Sequence, residues 1–209
     1  MAEQARDRIL EHARLGAEVR LRFFEERADD VGDVARAMAV ALAKGGKLLF
    51  CGNGPCAADC QRMAACFVHR IRLERPPLPA MALTTDASVL TAVANDGGFD
   101  QIFEKQVQAL GQPGDVLLVL SMAGSSPSLL AACRAAKRKG LATVGLTGRR
   151  GGELVGVCDH LLQVPSKDHS VIQEVHTAAA NVFCQLVDYY LFEAVLELNP
   201  YLADDPASS

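Results

Sequence analysis

Two short glycine-containing segments of the sequence combine residue types that bind anions. The first is Cys51–Cys56 (CGNGPC) and the second is Ser121–Pro127 (SMAGSSP). Glycine lets the backbone approach a ligand closely, and the free amide N–H groups at a helix start, together with serine hydroxyls, donate hydrogen bonds to anions. The two segments therefore predict a site for a small anion such as a phosphate group.

Each segment is also typical of an ordinary strand-to-helix turn, which is rich in Gly and Ser. Ser126 followed by Pro127 predicts a helix start with Ser126 as its N-cap. A third segment, 94–98 (ANDGG), could turn Asn95 and Asp96 toward the same site, although a glycine C-cap explains it nearly as well. The sequence contains neither GxGxxG nor GxxxxGK[ST], so it supports neither a dinucleotide site nor a P-loop.

The elements that would position these segments alternate along the chain. Short, continuous apolar runs predict five strands buried on both faces, at 47–51, 80–83, 115–121, 143–147 and 160–164. Helical patterns separate them, at 57–71, 87–94, 99–110 and 126–139, with a short turn near 152–157. Strand–helix alternation of this kind predicts an α/β fold with a doubly wound parallel sheet, in which ligands bind at the carboxyl ends of the strands.

Helices with apolar stripes are predicted at both ends of the chain, over 3–27, 29–44 and 168–196. We expect the stripes of 3–27 and 168–196 to lie between subunits, although the first of them could equally pack on its own domain. The sequence shows no repeat or linker and predicts a single domain over 1–196, followed by a flexible tail. Its parts are N-terminal helices (1–45), an α/β core (46–166), a C-terminal helix (167–196) and the tail (197–209).

Composition excludes several classes of function. The net charge of −4 argues against a nucleic-acid or anionic-membrane surface as the main partner. No apolar run approaches the roughly 20 residues of a membrane-spanning helix, and the charged N-terminus lacks the apolar region of a signal peptide. The seven cysteines are odd in number and form no CxxC pair, which favours reduced thiols and a cytoplasmic protein.

The motifs taken together resemble one known family. The sequence contains, in order, CGNGxxAADxQ, RPPLPAMALTTD, VLTAVANDGGFDQIFEKQV, GDVLLVLS and IQEVH. This set, from about residue 30 to about residue 192, resembles the phosphoheptose (sedoheptulose 7-phosphate) isomerase branch of the SIS (sugar isomerase) proteins. The resemblance implies a five-stranded parallel sheet flanked by helices and a homotetramer with active sites at subunit boundaries.

The resemblance also implies a zinc site, but this chain departs from it. Family members hold zinc with a His and a Glu on the helix after the first glycine segment, and with a Gln and a His eight residues apart on the last helix. The Glu and the second His also act as the acid/base pair. The matching positions here are Arg62, Cys66, Gln173 and Asn181, of which Gln173 alone agrees. Because guanidinium has no lone pair for a metal, we expect no zinc and no acid/base pair.

The second glycine segment departs from the family pattern STSGNS as well. Ser121 and Ser126 match it, whereas Met122 and Ala123 replace a Thr and a Ser, and Cys56 replaces a Ser of the first segment. Two hydroxyls and the backbone amides remain, which predicts a weakened phosphate site. The expected ligand-binding residues are Asn53, Gly54, Cys56, Asn95, Asp96, Ser121, Ser125, Ser126 and Gln173.

Three functions are compatible with these features. The first is a non-catalytic protein that binds a sugar phosphate or related anion. The second is an active isomerase with altered machinery around Cys66. The third is a tetrameric scaffold for a replication initiator, as in the DnaA initiator-associating protein (DiaA) branch of the family, which also lacks the Glu and the last His and which ERPPLPAMALTTDASVLTAVAND resembles. We expect His176 to be a hydrogen-bonded structural residue, and no contact with nucleic acid or membrane.

Overall fold

The protein is represented by a computed structural model that describes residues 2–202. Its centre is a five-stranded, entirely parallel sheet with the strand order β2-β1-β3-β4-β5. The strands are β1 (Leu48–Gly52), β2 (Ala80–Ala82), β3 (Val116–Ser121), β4 (Ala142–Thr147) and β5 (His160–Gln163). Each lies within a residue or two of the apolar run that predicted it, so the predicted fold class is confirmed.

Seven helices surround the sheet within the described range. They are α1 (Ala2–Ala43), α2 (Pro55–Val68), α3 (Ala87–Gly97), α4 (Ile102–Leu110), α5 (Pro127–Arg138), α6 (His169–Asp188) and α7 (Val195–Leu202). Short 3₁₀ turns lie at Phe99–Gln101 and Gly152–Gly156, and a π-helical turn, Tyr189–Glu193, follows α6. None of the helices in residues 2–202 is both long and apolar enough to cross a membrane.

The two ends of the chain differ from the prediction in detail. The helices expected at 3–27 and 29–44 form one element, α1, with a kink where Arg27 leaves the helical region (φ −129°). The predicted last helix (168–196) ends as an α-helix at Asp188. A flexible tail is predicted from residue 197, but residues 197–202 belong to helix α7, and Leu198 of this helix is buried against the core. The rest of the predicted tail, residues 203–209, lies outside the described residues.

Apolar residues of alternating register fill both faces of the sheet. Leu48, Phe50 and Leu118 point to the layer of α1, α2 and α6. Leu49 and Leu117 point to the opposite layer, built from α4 and α5. All of these strand residues are fully buried, as expected for a parallel sheet covered on both faces.

The apolar stripes of α1 and α6 behave differently from each other. The side of α6 that carries Val175, Ala179 and Phe183 is buried within its own chain, mainly against α1, so the prediction that this stripe lies between subunits is wrong. The first half of α1 leaves Ile9 and Leu21 more than 60 % exposed. Of these two stripes, the one on the first half of α1 is therefore the one that is left exposed.

The strand order defines where a ligand site is expected. β2 lies on one side of β1 and β3 on the other, so the sheet reverses its winding direction between β1 and β3. Both glycine segments follow these two strands directly. The fold thus brings them together at the topological switch point, where α/β sheets bind ligands.

Candidate functional site

Hydrogen bonds join the two glycine segments at the switch point. The side-chain amide of Asn53 donates to the hydroxyl of Ser126 over 2.8 Å and to that of Ser128 over 3.0 Å. Gly54 precedes α2 with a φ of +56°, in the region that favours glycine. Asn53, Gly54 and Ser126 are therefore brought together as the sequence predicted.

The hydroxyls of the second segment are largely used within the protein. Ser121 accepts a hydrogen bond from the Gly124 amide over 2.9 Å and is buried. Gly124 has a φ of +73°, and a β-carbon there would collide with the carbonyl of Gly151, so the turn requires glycine. The Ser126 hydroxyl lies 3.1 Å from that of Ser128. Of the serines in this segment, Ser125 is the one that lines the cavity described next.

That cavity, which we call the loop cavity, has a volume of about 500 Å³. Its other lining residues include Met122, Ala123, Gly152, Ser166 and Ile172, and four basic ones: Arg149, Arg150, Lys167 and His169. Sequence reasoning missed the basic residues. A signal was present, because Arg149 and Arg150 directly follow the run that became β4, and the carboxyl end of β4 lies beside that of β3.

Three residues expected to bind ligand are placed elsewhere. Cys56 is only 3 % exposed and belongs to the core, where burial raises the pKa of its thiol to about 11. Asn95 and Asp96 lie exposed near the end of α3, where the Asn95 side-chain amide donates to the Asp96 carboxylate over 3.0 Å. None of the three lines the loop cavity.

A second group of polar residues joins α2 to α6, and we call it the α2–α6 cluster. It consists of Asp59, Arg62 and Cys66 on α2 and Gln173, Thr177 and Asn181 on α6. Asp59, which is 8 % exposed, accepts from the Gln173 amide and the Thr177 hydroxyl, each over 3.2 Å. Sequence reasoning did not single out Asp59 or Thr177. An acidic residue one turn before Arg62 on the same helix was the available signal.

Arg62 is the centre of this cluster. Its Nη1 donates to Asn181 Oδ1 over 2.7 Å, and its Nη2 donates to the Thr177 carbonyl over 3.3 Å. The Cys66 sulfur lies 4.0 Å from Nη1. The Nε of Arg62 is buried and has no hydrogen-bond partner among the described residues. Of the four positions that the family resemblance assigns to metal binding, Arg62 thus contacts Cys66 and Asn181, whereas the fourth, Gln173, bonds to Asp59.

The α2–α6 cluster borders a second cavity of about 580 Å³, which we call the α6 cavity. Its lining comprises Arg20, Ser170, Gln173, Glu174, Thr177, Ala178 and Asn181. Helix α6 contributes to the lining of both cavities, with Ile172 at the loop cavity and Gln173 at the α6 cavity.

The cluster does not fit the zinc ion that the resemblance implies. Arg62 has no free electron pair and carries a permanent positive charge, and the Asn181 oxygen already accepts a hydrogen bond from it. Zinc sites in proteins combine three or four thiolate, imidazole or carboxylate ligands. Residues 2–202 contain no group of three His, Cys, Asp or Glu side chains arranged to hold a metal.

His176 lines neither the loop cavity nor the α6 cavity. Its ring is completely buried, and neither ring nitrogen has a hydrogen-bond partner among the described residues. Burial lowers the pKa of His176 to about 4, so the ring is neutral at pH 7. The expected structural role is consistent with this burial, but the expected hydrogen bond is not found.

Comparisons with known proteins agree with this architecture. A family model for the SIS domain matches residues 13–148. A phosphoheptose isomerase of Maridesulfovibrio salexigens is 57% identical over 205 residues, which cover 98% of this chain and 100% of that protein. Another, of a Roseiflexus species, is 47% identical over 185 residues, covering 88% and 94%.

A solved structure points the same way. The phosphoheptose isomerase from Francisella tularensis has a TM-score of 0.85 to this chain at 36% identity, covering 88% of this chain and 98% of that one. Similarity of this extent reaches over the sheet, the glycine segments and the last helices together. The chain belongs to the SIS-domain family, in its phosphoheptose isomerase branch.

Proposed function

We propose that this protein is a sugar-phosphate isomerase with altered machinery, which interconverts the ketose and aldose forms of a phosphorylated sugar of the sedoheptulose 7-phosphate class. The observation that carries the proposal is the 57% identity, over 98% of the chain, to a protein named phosphoheptose isomerase. The paired cavities along α6 support it, because a sugar phosphate has an anionic end and a polar end. The proposal replaces the binding-only function that the changed residues alone favour.

The α2–α6 cluster contains groups suited to this chemistry without a metal. Aldose–ketose isomerisation moves a proton between neighbouring carbons and develops negative charge on an oxygen. In the proposed site, the carboxylate of Asp59 accepts the proton, since it is the carboxylate of the cluster. The Arg62 guanidinium supplies fixed positive charge for the oxygen, and the Cys66 thiol beside it is a second proton-transfer group.

A second candidate is binding without turnover. It is favoured by the hydrogen bonds of Arg62 to Asn181 and Thr177, which hold the guanidinium against α6. In that case the polar end of the ligand would be recognised, but no group would be free to move its proton. The two functions share the binding site and differ in proton transfer.

Proton transfer can be measured directly. Sedoheptulose 7-phosphate is incubated with the protein in D₂O, and NMR follows both aldose formation and deuterium entry at the carbon next to the carbonyl. We expect both in the wild type and neither in Asp59→Asn, while Asp33→Asn, an exposed carboxylate on α1, serves as the matched control. Circular dichroism checks that both variants are folded.

The outcomes separate the two candidates. Deuterium entry that Asp59→Asn abolishes supports the isomerase. Heat of binding in calorimetry with neither exchange nor product supports the binding protein. Absence of both binding and exchange for sedoheptulose 7-phosphate would contradict both candidates.

A further inference from the structure

The loop cavity gathers positive charge from two separate segments of the chain. Arg149 and Arg150 come from the connection between β4 and β5, and Lys167 comes from the segment just before α6, whose first residue, His169, lines the same cavity. None of the four forms an ion pair with a carboxylate among residues 2–202.

Placing like charges around one concave surface is unfavourable unless an anion neutralises them. A cleft lined by charges of one sign focuses the field and raises the local concentration of oppositely charged ligands. The nearest acidic residue in sequence, Asp168, does not line the cavity, and its carboxylate caps α6 by accepting from the amides of Ser170 and Val171. The positive charge of the cavity is therefore left for a ligand.

The hydroxyls of the second glycine segment are neutral and carry no charge to match that of a phosphate. Ser121 is buried and accepts from the Gly124 amide, and Ser126 accepts from the Asn53 side-chain amide, so each has only its own hydroxyl hydrogen left to donate. Of the groups at the cavity wall, Ser125 and Ser166 are neutral donors, so the strongest phosphate-binding groups present are the arginines and the lysine.

We propose that Arg149, Arg150 and Lys167 bind the phosphate group of the sugar phosphate in the loop cavity, as a dianion, with Ser125 donating an additional hydrogen bond. Guanidinium presents paired N–H donors that match two phosphate oxygens, and ammonium adds a compact charge. The proposal rests on the proposed function for the identity of the sugar. It makes these three residues the determinants of selectivity for phosphorylated over unphosphorylated sugar.

Calorimetry with inorganic phosphate and with sedoheptulose 7-phosphate tests this assignment, and unphosphorylated sedoheptulose serves as the neutral comparison. The variants are Arg149→Gln, Arg150→Gln and Lys167→Gln. The matched control is Arg134→Gln, an exposed arginine on α5 that does not line the cavity. We expect Kd to rise about tenfold for each cavity variant, as for loss of a charge-assisted hydrogen bond, and to stay unchanged in the control.

Salt provides a second readout. Because the three cations interact with the phosphate through charge, raising NaCl from low to high concentration should weaken phosphate binding in the wild type. The double variant Arg149→Gln/Arg150→Gln should lose most of that salt dependence. Both side chains are exposed, so the variant is expected to fold, and circular dichroism verifies this.

Several results would overturn the assignment. These are unchanged phosphate affinity in all three cavity variants, an equal loss in Arg134→Gln, or no binding of either phosphate probe by the wild type at millimolar concentration. Failure of the isomerase proposal appears differently, as absence of proton exchange in a protein whose phosphate binding still depends on the three residues.

Discussion

Arg62 is the residue that most changes the chemistry expected of this site. Its guanidinium spans the space between α2 and α6 and is held by the Asn181 side chain and the Thr177 carbonyl. A half-buried cation of this kind requires acceptors, because an unpaired one retains the full cost of losing water. The pair formed by Arg62 and Asn181 therefore contributes to stability as well as to the shape of the site.

Replacement of Asn181 tests this pair. Asn181→Leu removes the acceptor 2.7 Å from Arg62, so we expect the free energy of unfolding to fall by about 1–3 kcal/mol. Asn181→Asp keeps an acceptor of the same shape and adds an opposite charge, and should unfold at the same or a higher urea concentration than the wild type. Equal destabilisation by both variants would show that the hydrogen bond is not what Asn181 contributes.

His176 predicts a pH dependence of stability. Its pKa is about 4 in the folded chain and about 6.5 in an unfolded one, so between these values the unfolded chain binds a proton that the folded chain does not. The buried, neutral ring of His176 therefore makes its full contribution to the free energy of unfolding above pH 6.5. This contribution is lost as the pH falls toward 4, by about 3 kcal/mol in total.

Urea unfolding of the wild type and His176→Leu at pH 7.5, 5.5 and 4.5 measures this contribution. The wild type should lose stability relative to the variant as the pH falls. His69→Leu, at an exposed position, is the control and should keep the wild-type profile. A constant difference between wild type and His176→Leu at all three pH values would contradict the burial of a neutral ring.

At the scale of elements, α2 and α6 meet through the cluster that the resemblance assigns to zinc. Hydrogen bonds connect them at two levels: Gln173 and Thr177 donate to Asp59, and Arg62 donates to Asn181. These bonds link the two helices without a metal. We therefore propose that the protein binds no zinc.

Metal analysis of the purified protein should show no stoichiometric zinc, and neither added zinc nor a chelator should shift its Tm. The triple variant Arg62→His/Cys66→Glu/Asn181→His places two imidazoles and a carboxylate beside Gln173, and it should gain a Tm increase on addition of zinc. Stoichiometric zinc in the wild type would contradict the proposal. A triple variant that folds but does not respond to zinc would show that the two helices are not spaced for a metal.

The last helix offers a test of packing. Leu198 on α7 is 1 % exposed, whereas Leu196 on the same helix is 81 % exposed. Leu198→Ala should lower the free energy of unfolding by about 2–5 kcal/mol, and Leu196→Ala should leave it nearly unchanged. Equal, small effects of the two variants in urea unfolding would mean that α7 is not docked in solution.

For the whole molecule, assembly into a homotetramer stays a prediction. Ile9, Leu10, Leu15 and Leu21 leave apolar surface on the first half of α1, which a second copy could cover. Light scattering at micromolar concentration should give the mass of a tetramer, and Ile9→Glu/Leu21→Glu should reduce it. A monomeric wild type would contradict the prediction. The replication-initiator partner likewise remains a prediction.

Much of the fold follows from the sequence alone. Five continuous apolar runs identified five strands because a strand covered on both faces must be apolar at successive positions. Glycine followed by a helix start identified the two segments at the ends of β1 and β3, because the conformation of such a turn depends on residues that are neighbours in the sequence. The phosphoheptose isomerase resemblance depended on the same local motifs, and the SIS-domain match and the near full-length relatives confirm it.

Other features depended on contacts between residues far apart in the chain. The bonds of Arg62 to Asn181 and of Asp59 to Thr177 join residues 119 and 118 positions apart, and no local pattern reports them. The same is true of Arg149 and Lys167 at one cavity, and of α7, where the sequence alone does not show that Leu198 is buried while Leu196 is exposed. Periodicity records which side of a helix is apolar. Whether that side meets its own chain, a ligand or a second copy is decided by where the sheet places the helix.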